Sequence, residues 1–131
     1  MSESPLAVAR ACLAAYVAKD RAAIEALIAE DYRFTSPLDN ALDRETYFAR
    51  CWPNSKVMAA FDCVYQMEDA DRAFIVYEAR TSRGKTFRNS EVYTVRNGKL
   101  VATEVYFGWD LPHDAPEGGF IDNDGKGHTS R

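Results

Sequence analysis

Glu91 is the residue of this chain whose surroundings most favour chemistry. Its neighbours alternate, so one face of a predicted strand carries Asn89, Glu91 and Tyr93. A carboxylate among aromatic side chains is costly unless it is paired or hydrogen-bonded. Three interpretations stay open: an acid or base with a raised pKa in a cavity, a structural ion pair with Arg80 or Arg88, or a position on the solvated face.

Metal and thiol chemistry find little support in the sequence. Cys12, Cys51 and Cys63 form no CxxC motif, and the two histidines, His113 and His128, lie in a polar C-terminal segment. We therefore expect no metal and no other cofactor, and three free, unreactive thiols.

Composition excludes several classes of partner. The 131 residues are 27% charged with a net charge of −4, and no Lys/Arg cluster is present, which argues against binding nucleic acid or an anionic membrane surface. No apolar run is long enough for a transmembrane helix, and the first residues lack the basic start of a signal peptide. The expectation is a cytoplasmic protein with one domain, residues 1–110, and a Pro/Gly-rich polar tail, residues 111–131.

Helices are predicted in the first half of the chain. The first spans about residues 4–19 with Ser4 as N-cap, the second spans Arg21–Ala29 after Asp20, and the third spans Arg44–Cys51 after Asp43. Between the last two, residues 32–36 form a short strand and residues 38–42 a loop.

Strands are predicted after Pro53, where the apolar period changes from 3.6 to 2. They cover residues 57–67, 73–81, 85–95 and 100–109, and Asn97-Gly98 is a strong hairpin signal. Short connections make these strands antiparallel neighbours, so the plan is α+β: three N-terminal helices packed on a curved antiparallel sheet.

This arrangement resembles the SnoaL-like branch of the nuclear transport factor 2-like superfamily, relatives of ketosteroid isomerases and polyketide cyclases. The resemblance covers residues 4–110 and rests mainly on the segments Ala29–Tyr32 with Pro37, and Val95–Leu100 leading to Glu104–Phe107. It implies a cone-shaped fold, a pocket between the helices and the sheet, and a homodimer formed through the outer sheet face.

The resemblance also implies which residues line the pocket. Beside Glu91 as the candidate catalytic group, the candidate ligand-binding residues are Tyr16, Ser36, Asp39, Trp52, Tyr93, Phe107 and Trp109. The tyrosines have an alternative role in satisfying backbone groups, and Asp39 in forming a turn.

Classical ketosteroid isomerase activity is not expected. The family's base corresponds to Ser36, whose hydroxyl is no base near neutral pH, and its oxyanion-hole tyrosine corresponds to Cys12, while Glu91 matches the family's protonated acid. Three functions stay open: a cofactor-independent isomerase, cyclase or lyase, a non-catalytic module that binds a small apolar molecule, and a dimeric interaction module.

Overall fold

The computed structural model describes residues 4–114 and the backbone of two short segments, Phe120–Ile121 and Gly127–His128. The helices are α1 (Pro5–Ala18), α2 (Arg21–Leu27) and α3 (Arg44–Arg50), and a 3-10 helix (Trp52–Val57) follows α3. The strands are β1 (Ile28–Ser36), β2 (Asp39–Leu42), β3 (Met58–Asp69), β4 (Arg72–Thr81), β5 (Thr86–Arg96), β6 (Lys99–Leu111), β7 (Phe120–Ile121) and β8 (Gly127–His128).

Each α-helix begins at the cap that the sequence predicts. The side chains of Ser4, Asp20 and Asp43 accept hydrogen bonds from backbone N–H groups three residues later, at 2.9–3.1 Å. These contacts satisfy amides that have no partner inside the helix. The α+β architecture with N-terminal helices is thus confirmed.

Six strands form one open sheet in the order β2-β1-β6-β5-β4-β3. The four long strands β3 to β6 pair antiparallel, as predicted, and Asn97 and Gly98 both have positive φ in the β5–β6 turn. The β1–β6 pair is parallel, so the sheet is mixed rather than purely antiparallel. This pairing places β1 beside β6 and widens the sheet behind the helices.

One predicted loop and several predicted boundaries are wrong. Strand β1 begins at Ile28 rather than at residue 32. Residues 39–42 form β2, which pairs with β1 through Ser36↔Asp39 and Phe34↔Leu42. Helix α2 ends at Leu27 because Ile28 pairs with Leu100, so sheet pairing overrides the helical propensity of this apolar stretch. Helix α3 ends at Arg50, one residue early, and the chain continues as the 3-10 helix.

The core lies between α1 and the inner face of the sheet. On β4 the inner positions Ala73, Ile75, Tyr77 and Ala79 are all buried and alternate with half-buried outer positions.

The predicted tail, residues 111–131, falls largely outside the described residues. Strand β6 runs to Leu111, and β7 pairs antiparallel with β8. No helix in the described part of the chain has the length and apolar character that crossing a membrane requires.

Candidate functional site

A cavity of about 400 Å³ lies between the helices and the inner face of the sheet. Every layer of the fold contributes to its wall: Tyr16 from α1, Ser36 and Asp39 from β1 and β2, Tyr77 from β4, Glu91 and Tyr93 from β5, and Val105 and Phe107 from β6. This volume lies within the range of small-molecule sites, and the lining is mostly apolar and aromatic with a few polar groups, as such sites usually are.

The cavity has an exposed end and a buried end. The exposed end, called the mouth below, consists of Leu38, Asn54, Lys85 and Phe107. The buried end, called the inner end below, consists of the buried Tyr77, Tyr93 and Thr103 and the half-buried Glu91. A ligand entering at the mouth would therefore meet its polar partners at the inner end.

Glu91 is the central polar group of the inner end. Tyr77 Oη donates a hydrogen bond to Glu91 Oε2 at 2.5 Å. Burial raises the pKa of Glu91 above its ordinary value, and the hydroxyls of Tyr77 and Tyr93 oppose this rise only in part. The carboxyl group is therefore available to donate or accept a proton closer to neutral pH than an exposed glutamate.

Neither arginine considered as a counterion reaches Glu91. Arg88 pairs instead with Glu78 on the outer face of the sheet, with Nη2 3.5 Å from Oε2, and Arg80 shares the outer alternation of β4 with Glu78. Within residues 4–114, Glu91 forms no salt bridge. The interpretation of Glu91 as a structural ion pair is wrong for this fold.

Tyr93 adds a second polar group to the inner end. Its side chain is 1% exposed, and its Oη lies close enough to Glu91 to lower the pKa of that carboxyl group but forms no hydrogen bond in good geometry with it or with any other described residue. An unsatisfied buried hydroxyl carries a desolvation cost of about 1–3 kcal/mol. A ligand oxygen at this place would remove that cost.

Tyr16 occupies the helical wall and is held there by two aromatic neighbours. Its hydroxyl shares a hydrogen bond of 2.6 Å with Tyr47 Oη, and its ring packs edge-on against Trp52 with centroids 5.0 Å apart. Trp52 therefore supports the wall from behind and does not line the cavity. Trp109 is also outside the cavity: it is half-exposed and packs against His113.

A second carboxylate lines the cavity at Asp39. Ser36 Oγ donates to Asp39 Oδ2 at 2.9 Å, and Arg50 Nη2 lies 3.4 Å from Oδ1. The short β1–β2 turn places Asp39 opposite Ser36 in the sheet. The two residues therefore form one polar unit rather than two separate ligand contacts.

Sequence reasoning missed Tyr77 and Tyr47, both of which bind a candidate residue directly. Tyr77 could have been found from the hairpin register, because it faces Asn89 across β4 and β5, two register positions from Glu91 and on the same face. Tyr47 had no such signal, since it lies on a helix whose direction of packing depends on the whole fold.

The cysteines are not placed for chemistry. Cys12 and Cys51 line the cavity, and burial raises the pKa of both thiols, that of Cys51 to about 11. Such thiols stay protonated and are poor nucleophiles. Within the described residues, no group of three potential ligands could hold a metal ion.

A larger but shallower groove of about 560 Å³ lies on the outside of the helices, among Arg21, Glu30, Asp43, Arg44, Glu45, Phe48 and Ala49. Three of its five charged side chains already have structural partners. Asp43 caps α3, Arg44 donates to the carbonyls of Glu25 and Ile28, and Arg21 pairs with Glu25. The cavity around Glu91 is therefore the better candidate site.

Comparison with solved structures shows the same fold in several proteins. A protein from Kribbella flavida superposes with a TM-score of 0.74 at 20% identity, covering 82% of this chain and 88% of that one. A nuclear transport factor 2-like protein from Cytophaga hutchinsonii gives 0.67 at 17% identity, covering 82% and 93%. IdmH from Streptomyces antibioticus, described as "a putative polyketide cyclase", gives 0.65 at 17% identity, covering 79% and 91%.

At these identities the likeness shows the fold and not the activity. No curated protein shows significant sequence similarity to the chain. The model of the SnoaL-like domain matches residues 9–103, which is more than half of the sequence and extends from within α1 to the first part of β6. The chain belongs to the SnoaL-like domain family, within the nuclear transport factor 2-like fold.

Proposed function

We propose that this protein binds an apolar small molecule in the cavity and transfers a proton to or from it, as a cofactor-independent isomerase, cyclase or lyase. The observation that carries this proposal is Glu91, a half-buried residue whose carboxyl group faces a cavity of about 400 Å³ and forms no salt bridge within residues 4–114. Buried carboxyl groups with raised pKa values cluster at functional sites.

The hydrogen bonding of Glu91 assigns a role to each oxygen. Tyr77 binds Oε2 and fixes the orientation of the group, so Oε1 is the oxygen that can face a ligand. In its protonated form Glu91 donates to a ligand oxygen, and in its ionised form it accepts a proton from an acidic carbon. A pKa near the working pH makes both directions efficient.

Asp39 is the second candidate for proton transfer. In the isomerases that this family resembles, the base corresponds to Ser36, which has no basic group. The Asp39 carboxylate reaches the same part of the wall through its hydrogen bond with Ser36. Glu91 as proton donor and Asp39 as proton acceptor would provide an acid and a base within one cavity, a pattern common in proton-transfer enzymes.

The proposal is tested by proton exchange on a panel of apolar cyclic ketones in D₂O, followed by NMR. We expect the wild type to accelerate loss of the proton next to the carbonyl for at least one ketone. Glu91→Gln, which keeps the shape, should lower this rate about 100-fold or more, the usual contribution of a general acid or base. Glu104→Gln, on the outer face, is the matched control and should leave the rate unchanged.

Non-catalytic binding is the second candidate function. It is favoured by Ser36 and Cys12, which replace the polar residues of the isomerases and line the same cavity. Ketones that bind in the cavity without any accelerated exchange would support this alternative and contradict the enzymatic proposal.

We also propose that the protein forms a homodimer through the outer face of the sheet. Tyr65, Met67 and Tyr106 are each more than half exposed there. The outer-face residues around them include Ser90, Val92, Thr94 and Glu104, and the β5–β6 register places Ser90 beside Tyr106 and Val92 beside Glu104. Exposed apolar area of this kind marks interaction surfaces.

Sedimentation at micromolar concentration tests the dimer. We expect twice the 14.7 kDa chain mass for the wild type and a shift to monomer for Val92→Arg. A wild type that sediments as a monomer would contradict the proposal.

We place the protein in the cytoplasm. Cys12, Cys51 and Cys63 are free thiols, which suits a reducing compartment. Fluorescence microscopy of the full chain in its host tests this, and a signal outside the cytoplasm would contradict it.

A further inference from the structure

We infer that the cavity ligand is an acid, an apolar ring compound whose anionic group binds Lys85 at the mouth. The inference rests on the proposed binding of a small molecule in this cavity and adds the chemical class of that molecule. Its basis is the order of side chains along β5 and the balance of charges around the cavity.

Strand β5 arranges polarity along the cavity. From the mouth inward the lining residues are Lys85, then Phe87, Asn89, Glu91 and Tyr93, with Lys85 immediately before the strand. Glu91 lies six positions after Lys85, which corresponds to at most about 20 Å of extended chain. The flexible lysine side chain can bring its charge closer to Glu91 than that. A ligand between them would carry a charge at one end, an apolar body, and an uncharged oxygen at the other.

The apolar body has matching partners in the middle of the cavity. Phe34, Phe61, Phe87 and Val105 line this region. Phe61 packs edge-on against Tyr77 at 4.9 Å between centroids, which holds both rings in place. Flat ring systems gain from such rigid aromatic contacts.

The charge balance at the mouth favours an anion. Among the lining residues that the structure describes, Lys85 is the single lysine or arginine. The Asp39 carboxylate also lines the cavity, but Arg50 lies 3.4 Å from it and offsets its charge. Lys85 therefore provides the cationic group that a ligand would meet on entry.

Lys85 is available because its own partner is weak. Its Nζ lies 3.7 Å from Asp110 Oδ1, and both side chains are more than 60% exposed. Exposed ion pairs of this kind contribute little and are screened by salt. An incoming carboxylate or sulfonate can replace Asp110 at small cost, and a neutral ligand gains nothing from the exchange.

Two fluorescent probes separate charge from apolar binding. 8-Anilinonaphthalene-1-sulfonate and N-phenyl-1-naphthylamine share the same rings, and only the first carries a sulfonate. Mutual displacement shows that both occupy one site. We expect Lys85→Ala to weaken binding of the sulfonate probe about fivefold and to change the neutral probe by less than twofold, since an exposed ion pair is worth about that much.

Two further variants sharpen the test. Lys99→Ala, at the start of β6, removes an exposed lysine elsewhere and should change neither probe. Asp110→Asn removes the competing carboxylate and should strengthen the sulfonate probe. Raising the salt concentration should weaken the sulfonate probe in the wild type and not in Lys85→Ala.

The outcomes distinguish this inference from the proposed function. If the probes displace each other but Lys85→Ala and Lys99→Ala affect the sulfonate probe equally, the inference is overturned and cavity binding stands. If neither probe binds, both the cavity-binding proposal and the inference are contradicted.

Discussion

The two faces of the β4–β5 strand pair carry one glutamate each in opposite environments. On the outer face, Glu78 is directly opposite Arg88 in the register and forms a half-exposed salt bridge of 3.5 Å with it. On the inner face, Glu91 receives a hydrogen bond from Tyr77 and has no counterion within residues 4–114. The same strands thus hold one neutralised carboxylate and one uncompensated one.

This difference separates structural from functional carboxylates. A pair such as Glu78–Arg88 is explained by the sheet itself, because cross-strand opposite charges stabilise antiparallel pairs. Glu91 has no such explanation, since burial without a cation costs stability. We propose that ligand chemistry is the reason why this fold retains a costly carboxyl group beside the cavity.

The largest expected effect concerns the close backbone contact between Gly108 of β6 and Arg88 of β5. A Cβ at Gly108 would collide with the backbone oxygen of Arg88, and Gly108 N donates to Asn89 Oδ1 at 3.1 Å. Gly108→Ala should therefore lower the free energy of unfolding by about 1–3 kcal/mol, because neither backbone can move away freely. Urea denaturation measures this.

Gly98→Ala serves as the comparison for Gly108→Ala. Gly98 has open space around it but positive φ, so its cost comes from backbone strain alone. A Gly108→Ala protein as stable as the wild type would show that the β5–β6 contact is not tight, and the register of the inner face would then be in doubt.

A medium effect is expected from the pH dependence of stability. The folded-state pKa of Glu91 is raised, so the folded protein holds its proton more tightly than the unfolded chain. The wild type should therefore lose stability as the pH rises from the unfolded-state pKa of about 4.5 through the raised folded-state pKa. Each pKa unit between the two states corresponds to about 1.4 kcal/mol of stability. Glu91→Gln should remove this loss.

Urea denaturation of both proteins between pH 4 and 8 gives the difference. The stability of Glu91→Gln relative to the wild type should increase with pH. A difference that is constant or decreases with pH would contradict a raised pKa.

The smallest effect is expected on the outer face. Glu78→Gln breaks the pair with Arg88, and half-exposed ion pairs contribute at most about 1 kcal/mol. Its effect should decrease at high salt, whereas the effect of Glu91→Gln should not. A loss at Glu78 that does not change with the salt concentration would remove the contrast between the two faces.

Much of the fold could be predicted from local patterns. The caps at Ser4, Asp20 and Asp43 and the Asn97-Gly98 turn follow from short-range hydrogen bonding and backbone preferences, which the residue types express directly. The parallel β1–β6 pair and strand β2 were not predicted, because they depend on long-range pairing that no local period reports.

The site could be predicted in part for a related reason. Strand alternation and the family resemblance placed Glu91, Tyr93 and Phe107 on one face, and all three line the cavity. Trp52 and Trp109 were expected there and are outside it. Whether an aromatic residue lines a cavity or supports its wall depends on side-chain packing, which spacing in the sequence does not determine.

The most direct test of the central claim is a carbon-detected NMR titration of the Glu91 carboxyl group in the folded wild type, with Glu78 as the internal reference. A pKa of Glu91 above its ordinary value of 4.5, moving higher in Tyr77→Phe, is the predicted result, because burial raises it and the tyrosine hydroxyl opposes the rise. An ordinary or lowered pKa for Glu91 would contradict the account of an uncompensated carboxyl group in the cavity.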